Sequence, residues 1–222
     1  ALNAIIKRIG KYKKINKYNE EDIQVAISTQ NLQTEKNVQK LINKMKLTSN
    51  YLIINQCSNN ASINNKNVIS KKEKGLSKSR NEVIKNANKD IVLLADDDVS
   101  YNSNYTDIIV EAYNKYEKAD IICFFIESKN SQRKIKRMCT GRIGYIRAMK
   151  IASFEISFKK NSIIANNIKF DEQYGAGAKF NRGEEQTILY ETLKKGLRII
   201  FVNKKIGEVS QTKSTWFTEY NE

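Results

Sequence analysis

Residues 91–98 read IVLLADDD, a short apolar run with a β-branched start that stops in three consecutive carboxylates. An apolar run of this length is the pattern of a strand buried on both faces. Its C-terminal end then carries Asp96, Asp97 and Asp98. In open α/β sheets that edge is where ligands bind. Three adjacent acids repel one another. A hard divalent cation, Mg²⁺ or Mn²⁺, would remove the conflict by taking carboxylate oxygens. The plainer alternative is a turn in which one Asp caps the next helix and the others are solvated.

The segments around this run alternate in type. Residues 23–29 (IQVAIST), 50–55 (NYLIIN) and 67–70 (NVIS) read as strands. Residues 31–46 read as a helix with Leu32, Val38, Leu41, Ile42 and Met45 on one side. A second helix opens near Lys74 and runs to about Ala87, with Ser77 or Ser79 as N-cap and Glu82 completing a capping box. Strand, helix, strand, short strand, helix, strand predicts a mostly parallel sheet covered by helices. Further on come a helix over 105–116, a buried strand over 120–126 and an alternating strand over 151–159. A helical turn over 161–166, a helix over 186–195 stopped by Gly196, and a last strand over 198–202 complete the chain. The loops at 29–31, 56–60 and 96–98 should open on one edge, with Lys78 and Arg80 close by at a helix start. Helix N-termini attract phosphate, and these two cations add formal charge. Acids for a metal beside a basic helix start suit a metal-bound nucleoside diphosphate. Ordinary surface charge is the alternative for Lys78 and Arg80. Neither GxGxxG nor GxxxxGK[ST] occurs, so nucleotide binding through those loops is not expected.

Composition narrows the chemistry. At 222 residues and 40% hydrophobic the chain is globular, with one sizeable core. It has no His, which excludes Ser-His-Asp and Cys-His catalysis and HExxH zinc sites. Any general base must be a carboxylate, Lys, Tyr or Cys. The pair Glu184 and Glu185, at a helix start, is the best carboxylate candidate outside the Asp cluster, although acids there also suit the helix dipole. Three scattered cysteines argue for reduced thiols in a cytoplasmic setting. No apolar run approaches a membrane span and no secretory pattern opens the sequence. The net charge of +15 predicts attraction to nucleic acid, an anionic membrane or phosphorylated substrates. Residues 128–150 carry many of the cations and no acid, which reads as a mobile basic insertion beside the site. A phosphate-bearing acceptor or an anionic membrane would suit it. Residues 1–21 are basic, with helically spaced Ile5, Ile6, Ile9, Tyr12 and Ile15; they could lie on a membrane, but packing on the domain or a loosely held terminus is the expectation.

The order IQVAISTQN, NYLIINQCS, KGLSKSRNEVIKNA, IVLLADDDV, then YGAGAKFNRGEEQTILYETLKKG, resembles glycosyltransferase family 2, of the inverting, DxD-containing kind that builds bacterial glycans and capsules. The resemblance covers roughly residues 23–205. It implies an α/β protein of the GT-A type: a mostly parallel central sheet flanked by helices, with a smaller acceptor-binding portion. Within a single domain, residues 23–126 would be the nucleotide-sugar-binding half and 127–205 the acceptor-binding and catalytic half, with 1–22 and 206–222 as terminal extensions. By that resemblance Asp98 binds Mn²⁺ or Mg²⁺ bridging the donor diphosphate, Asp96 contacts the ribose or the metal's water shell, and Asp97 stands between them. Thr29 and Asn31 border the base pocket, and Arg80 contacts base or phosphates. Glu185 is the expected base, with Glu184 close behind. Many members carry an Asp after the second strand; here that loop is Asn55-Gln56-Cys57-Ser58, and Gln56 is the nucleotide-binding candidate. Many also carry a His after the last strand, where this chain has residues 206–211 (IGEVSQ), with Lys213 and Trp216 beyond.

The activity this implies is metal-dependent, inverting transfer of a sugar from a nucleotide-sugar donor, expected to be a UDP-sugar. The acceptor is a glycan or a polyprenyl-linked glycan. The setting is the cytoplasm, with peripheral contact at the inner membrane face. Nucleic acid is not expected as a partner. A nucleotidyltransferase acting on sugar phosphates would want a glycine-rich, basic loop after the first strand, and residues 28–33 have neither feature. A nucleic-acid-binding domain would interleave aromatics with cations on one surface, whereas most aromatics here fall in core patterns.

Overall fold

The computed structural model describes residues 17–57, 63–129 and 138–210. Among them nine strands make one sheet: β1 (Ile23–Gln30), β2 (Asn50–Gln56), β3 (Val68–Lys71), β4 (Ile91–Asp96), β5 (Val99–Tyr101), β6 (Ile121–Ser128), β7 (Gly141–Arg142), β8 (Ile156–Lys159) and β9 (Ile199–Val209). Their order is β3-β2-β1-β4-β8-β6-β9-β5, with β7 also on β9. Helices α1 (Glu35–Met45) and α3 (Tyr105–Lys115) cover one face. Helices α2 (Leu76–Asn86), α4 (Tyr145–Ala148), α5 (Lys160–Ala165) and α6 (Glu184–Lys194) cover the other. The apolar run of residues 91–95 shows why. In β4, Ile91, Leu93 and Ala95 pack with Val38, Met45 and Tyr105, while Val92 and Leu94 pack with Val83, Ile163 and Leu189. Side chains alternate with a period of two, so a strand apolar at every position is covered on both faces.

β1, β2 and β4 are parallel, with Ser28 opposite Asp96 and Thr29 opposite Asn55. Parallel pairing puts their C-terminal ends on one edge, as the loop reading expected. β8 is antiparallel to both β4 and β6, so it divides the sheet into two parallel groups. β5 leads the chain away from the acid turn and pairs antiparallel with β9, Val99 opposite Val209.

Several local expectations are corrected. The start of α2 is Gly75, at φ 126°, with no side-chain cap. Ser77 instead donates to the Tyr174 carbonyl (2.6 Å) and Ser79 to the Ser28 hydroxyl (2.8 Å), so tertiary partners claim both hydroxyls. Glu82 pairs with Lys71 at 3.1 Å rather than closing a capping box. The alternating stretch 151–159 is strand only over Ile156–Lys159; Ser153–Glu155 is a 3-10 turn, with the Ala152 N–H donating to Glu155 Oε2 (2.9 Å). β5 was not foreseen, and β9 continues to Val209, well past Val202. Residues 138–150 are built into the fold through β7 and α4 instead of forming a free insertion. The expected N-terminal helix lies largely outside the described residues, as do Arg133, Lys134, Lys136, Arg137, Lys213 and Trp216. Tyr18 is buried, its backbone exchanging hydrogen bonds with the Asn114 side chain (3.0 and 2.9 Å). Cys57 and Cys123 are buried and Cys139 is exposed. No helix among the described residues is long and apolar enough to cross a membrane.

Candidate active site

The site is built on the edge where β1, β2 and β4 end. β4 stops at Asp96, and Asp97 and Asp98 form the turn into β5. Thr29, at the end of β1, donates its hydroxyl to Asp97 Oδ2 at 2.7 Å. Lys44 of α1 donates to the Asp97 carbonyl at 2.9 Å. The Asp98 carbonyl accepts from the Ser210 N–H at 3.2 Å, which ties the acid turn to the end of β9. Burial first, and then the neighbouring Asp96 and Asp97 charges, push the Asp98 carboxyl up to about 6. Asp96 is also raised, by burial against the pull of Arg80.

Arg80 sits inside α2 at 1% exposure. Its Nη1 donates to Glu184 Oε1 (3.0 Å), and its Nη2 to Asp96 Oδ1 (3.2 Å) and Ser153 Oγ (2.7 Å). The Phe170 ring lies 5.6 Å from the guanidinium carbon. One cation therefore joins the Asp turn to the Glu pair that opens α6. Gly183, at φ 101°, starts that helix. Glu184 is buried against Arg80, whereas Glu185 is half-buried. Burial, and then the adjacent Glu184 charge, hold the Glu185 carboxyl above the ordinary carboxylate range. A carboxyl raised in this way is suited to accepting a proton.

Beside the acids, a cavity of about 290 Å³ is lined by Gln30, Asn31, Gln56, Cys57, Lys72, Glu73 and Lys74. Asn31 is left-handed (φ 55°) and its N–H donates to the Gln56 carbonyl at 2.9 Å, which joins the two strand ends. Gln56 Nε2 donates to the Gly75 carbonyl (3.1 Å), while its Oε1 is buried without a hydrogen-bond partner. Asn55 is spent on the fold, accepting from the Leu32 N–H and donating to the Leu32 carbonyl, both at 3.0 Å.

The structure thus gathers Asp96, Arg80 and Glu184 in one network, links Thr29 to Asp97, and sets Asn31 and Gln56 on the cavity. Lys78 is half-buried on the first turn of α2 and, among the described residues, stands outside that network. Ser153, Lys44 and Phe170 were missed. Ser153 lay in a stretch that alternates like a strand, and Lys44 was one of many helix lysines. Among the described residues no three His, Cys, Asp or Glu side chains converge as a complete metal-ligand set. Asp98 and Asp96 are the carboxylates that would hold a hard cation, and Asp96 Oδ1 is already engaged by Arg80 at 3.2 Å. Mg²⁺-like ions are held by one or two carboxylates, with substrate phosphates supplying further oxygens.

Solved structures share this architecture. S. aureus TarS 1–349 in complex with UDP-GlcNAc matches with a TM-score of 0.63 at 14% identity, covering 86% of this chain and 59% of that one. A further structure of S. aureus TarS 1–349 matches with a TM-score of 0.59 at 15% identity, over 84% and 60% of the two chains. The mannosyltransferase PcManGT from Pyrobaculum calidifontis, in complex with GDP-Man and Mn²⁺, gives 0.57 at 10% identity, over 97% and 65%. The chain therefore spans about 60% of the length of the TarS 1–349 structures and 36% of the longer TarS structure it matches. No curated protein sequence matches it. The fold is of the GT-A type, a mixed α/β sheet with helices on both faces and an acid-bearing edge. The glycosyl transferase family 2 sequence model matches residues 18–180, so the chain belongs to that family.

Proposed function

We propose that this chain transfers a sugar from a nucleoside-diphosphate donor to a glycan or polyprenyl-linked acceptor, in a metal-dependent and inverting reaction. The carrying observation is the Arg80 bridge between Asp96 and Glu184 (3.2 and 3.0 Å). It supports the reading by joining Asp96, on the proposed donor side, to Glu184, beside the proposed base. The base and ribose would occupy the cavity bordered by Asn31 and Gln56. A UDP-sugar is the proposed donor. Asp98, with Asp96, would hold Mn²⁺ or Mg²⁺. The bound ion would neutralise charge on the departing diphosphate.

Glu185 takes the proton of the acceptor hydroxyl. The acceptor oxygen bonds to the anomeric carbon from the face opposite the phosphate, the carbon–oxygen bond to the diphosphate breaks, and the diphosphate leaves with that electron pair. Configuration inverts. Glu184, held by Arg80, fixes the start of α6 and thereby places Glu185. The proposed setting is polysaccharide biosynthesis on the cytoplasmic side, with peripheral contact at the inner membrane face.

Two measurements test this reading. Thermal melting with UDP or GDP, with and without Mn²⁺, should show nucleotide stabilisation that depends on the ion. Absence of any shift with every nucleoside diphosphate sinks the reading. Glu185→Gln should lose at least about a hundredfold in transfer rate while keeping the nucleotide-dependent shift. Full activity in that variant moves the base elsewhere.

A further inference from the structure

Among the described residues five large apolar side chains are exposed, and three of them, Tyr145, Ile146 and Met149, lie within five positions of one another. Ile146 is 81% exposed and Met149 64%. This is a built feature and not a frayed end. Ile143 and Ala148 are fully buried beneath it, and the Tyr145 ring meets Tyr190 of α6 edge-on at 5.3 Å. The Arg147 guanidinium donates to the carbonyls of Arg142 (2.7 Å) and Cys139 (2.5 Å), and β7 is paired to β9. The fold thus holds an apolar tip out into solvent. Clustered exposed apolar side chains of this kind mark contact surfaces.

Charge selects the partner. Arg142 and Lys150 flank the tip and are exposed, and the sequence has no Asp or Glu between Lys129 and Phe154. A second copy of a chain with net charge +15 would bring cations against cations. Nucleic acid would satisfy the charge but offers no seat for Ile146 and Met149. An anionic lipid interface satisfies both, because its headgroups meet the cations and its acyl boundary takes the aliphatic side chains. We propose that the α4 tip docks on an anionic bilayer, with Ile146 and Met149 entering the headgroup boundary and Arg142 and Lys150 facing the lipid phosphates. α4 packs on α6, whose first turn carries Glu184 and Glu185, so docking would hold that helix against the surface where a polyprenyl-linked acceptor resides. That last step rests on the glycosyl-transfer reading; the docking itself does not.

The test is flotation of the full chain with phosphatidylcholine vesicles, with and without phosphatidylglycerol. The chain should float only with the anionic vesicles, and less as salt rises. Combining Ile146→Asp with Met149→Asp should reduce the floated fraction about tenfold. Ile164→Asp, at a 50% exposed aliphatic position on α5, adds negative charge elsewhere and should change it little. Thermal melts of both variants should match the parent. The proposal fails if the parent does not float, if the double variant floats like the parent, or if both variants lose binding equally. It also fails if the parent is a dimer in sedimentation and the double variant is a monomer, which would assign the tip to a contact between copies. The manganese-dependent UDP shift should survive in the double variant. Its absence from the parent would sink the transfer reading and leave the flotation result standing.

Discussion

Arg80 shows most plainly what one residue does in this molecule. A buried guanidinium needs its counter-charges, and a planar fork can serve two carboxylates and a hydroxyl where an ammonium cannot. Arg80→Met leaves Asp96 and Glu184 without their cation, so unfolding in urea should show a loss of about 3–5 kcal/mol. Arg80→Lys should recover only part of it. Glu155 makes a second residue-scale prediction. It is 8% exposed, and burial pushes its carboxyl up to about 7 from the ordinary 4.5, against the hydrogen bonds that favour the charged form. Its folded value is raised, so below 4.5 both states hold the proton and no penalty exists. Between 4.5 and about 7 the unfolded chain ionises first, and stability falls as pH rises. Glu155→Gln should therefore gain on the parent by about 3 kcal/mol between pH 4.5 and pH 8, read from urea midpoints at the two values. The acids themselves were legible because each group ends or begins a patterned segment. Arg80's role was not, because its partners lie 16, 73 and 104 positions away.

At the scale of elements, β1, β2 and β4 were readable because length and apolar pattern both marked them as buried strands. β5 was not, being three residues long and defined only by its distant partner β9, and β8 was readable only in part, since four residues of the stretch read as strand form it. The serines of α2 misled for a related reason, since a hydroxyl that fits a cap equally fits a tertiary acceptor. The close contact of β5 with β9 carries its own prediction. A Cβ at Gly207 would lie 2.6 Å from the Ser100 carbonyl oxygen, a backbone atom with little freedom to yield. Gly207→Ala should cost about 1–3 kcal/mol by overpacking. Because β5 begins directly after Asp98, the same variant should weaken manganese-dependent nucleotide binding in titration, without touching a proposed ligand.

For the molecule as a whole, β8 lies between β4 and β6 and makes the two halves of the chain one sheet. Arg80 repeats that link in the side chains. A fragment ending at residue 126 leaves β4 without β8 and β6 without both of its neighbours, so it should show no cooperative unfolding transition by circular dichroism. A stable, cooperative fragment would mean that residues up to 126 fold alone. The family match ends at residue 180, before Glu184, so the proposed base lies outside the matched segment; the acidic pair, the missing His and the resemblance carried by residues 174–196 are what pointed to it.

The thiol distribution offers a practical handle. Two of the three cysteines are buried, and burial raises the Cys123 thiol well above its usual value, which suppresses the reactive thiolate. Cys139 alone is exposed, and its carbonyl is held by Arg147 at the base of the α4 tip. A maleimide carrying a polarity-sensitive dye should label the unmodified chain at that single position. Its emission would then report, in real time and without mutation, whether the surrounding surface is wet or covered.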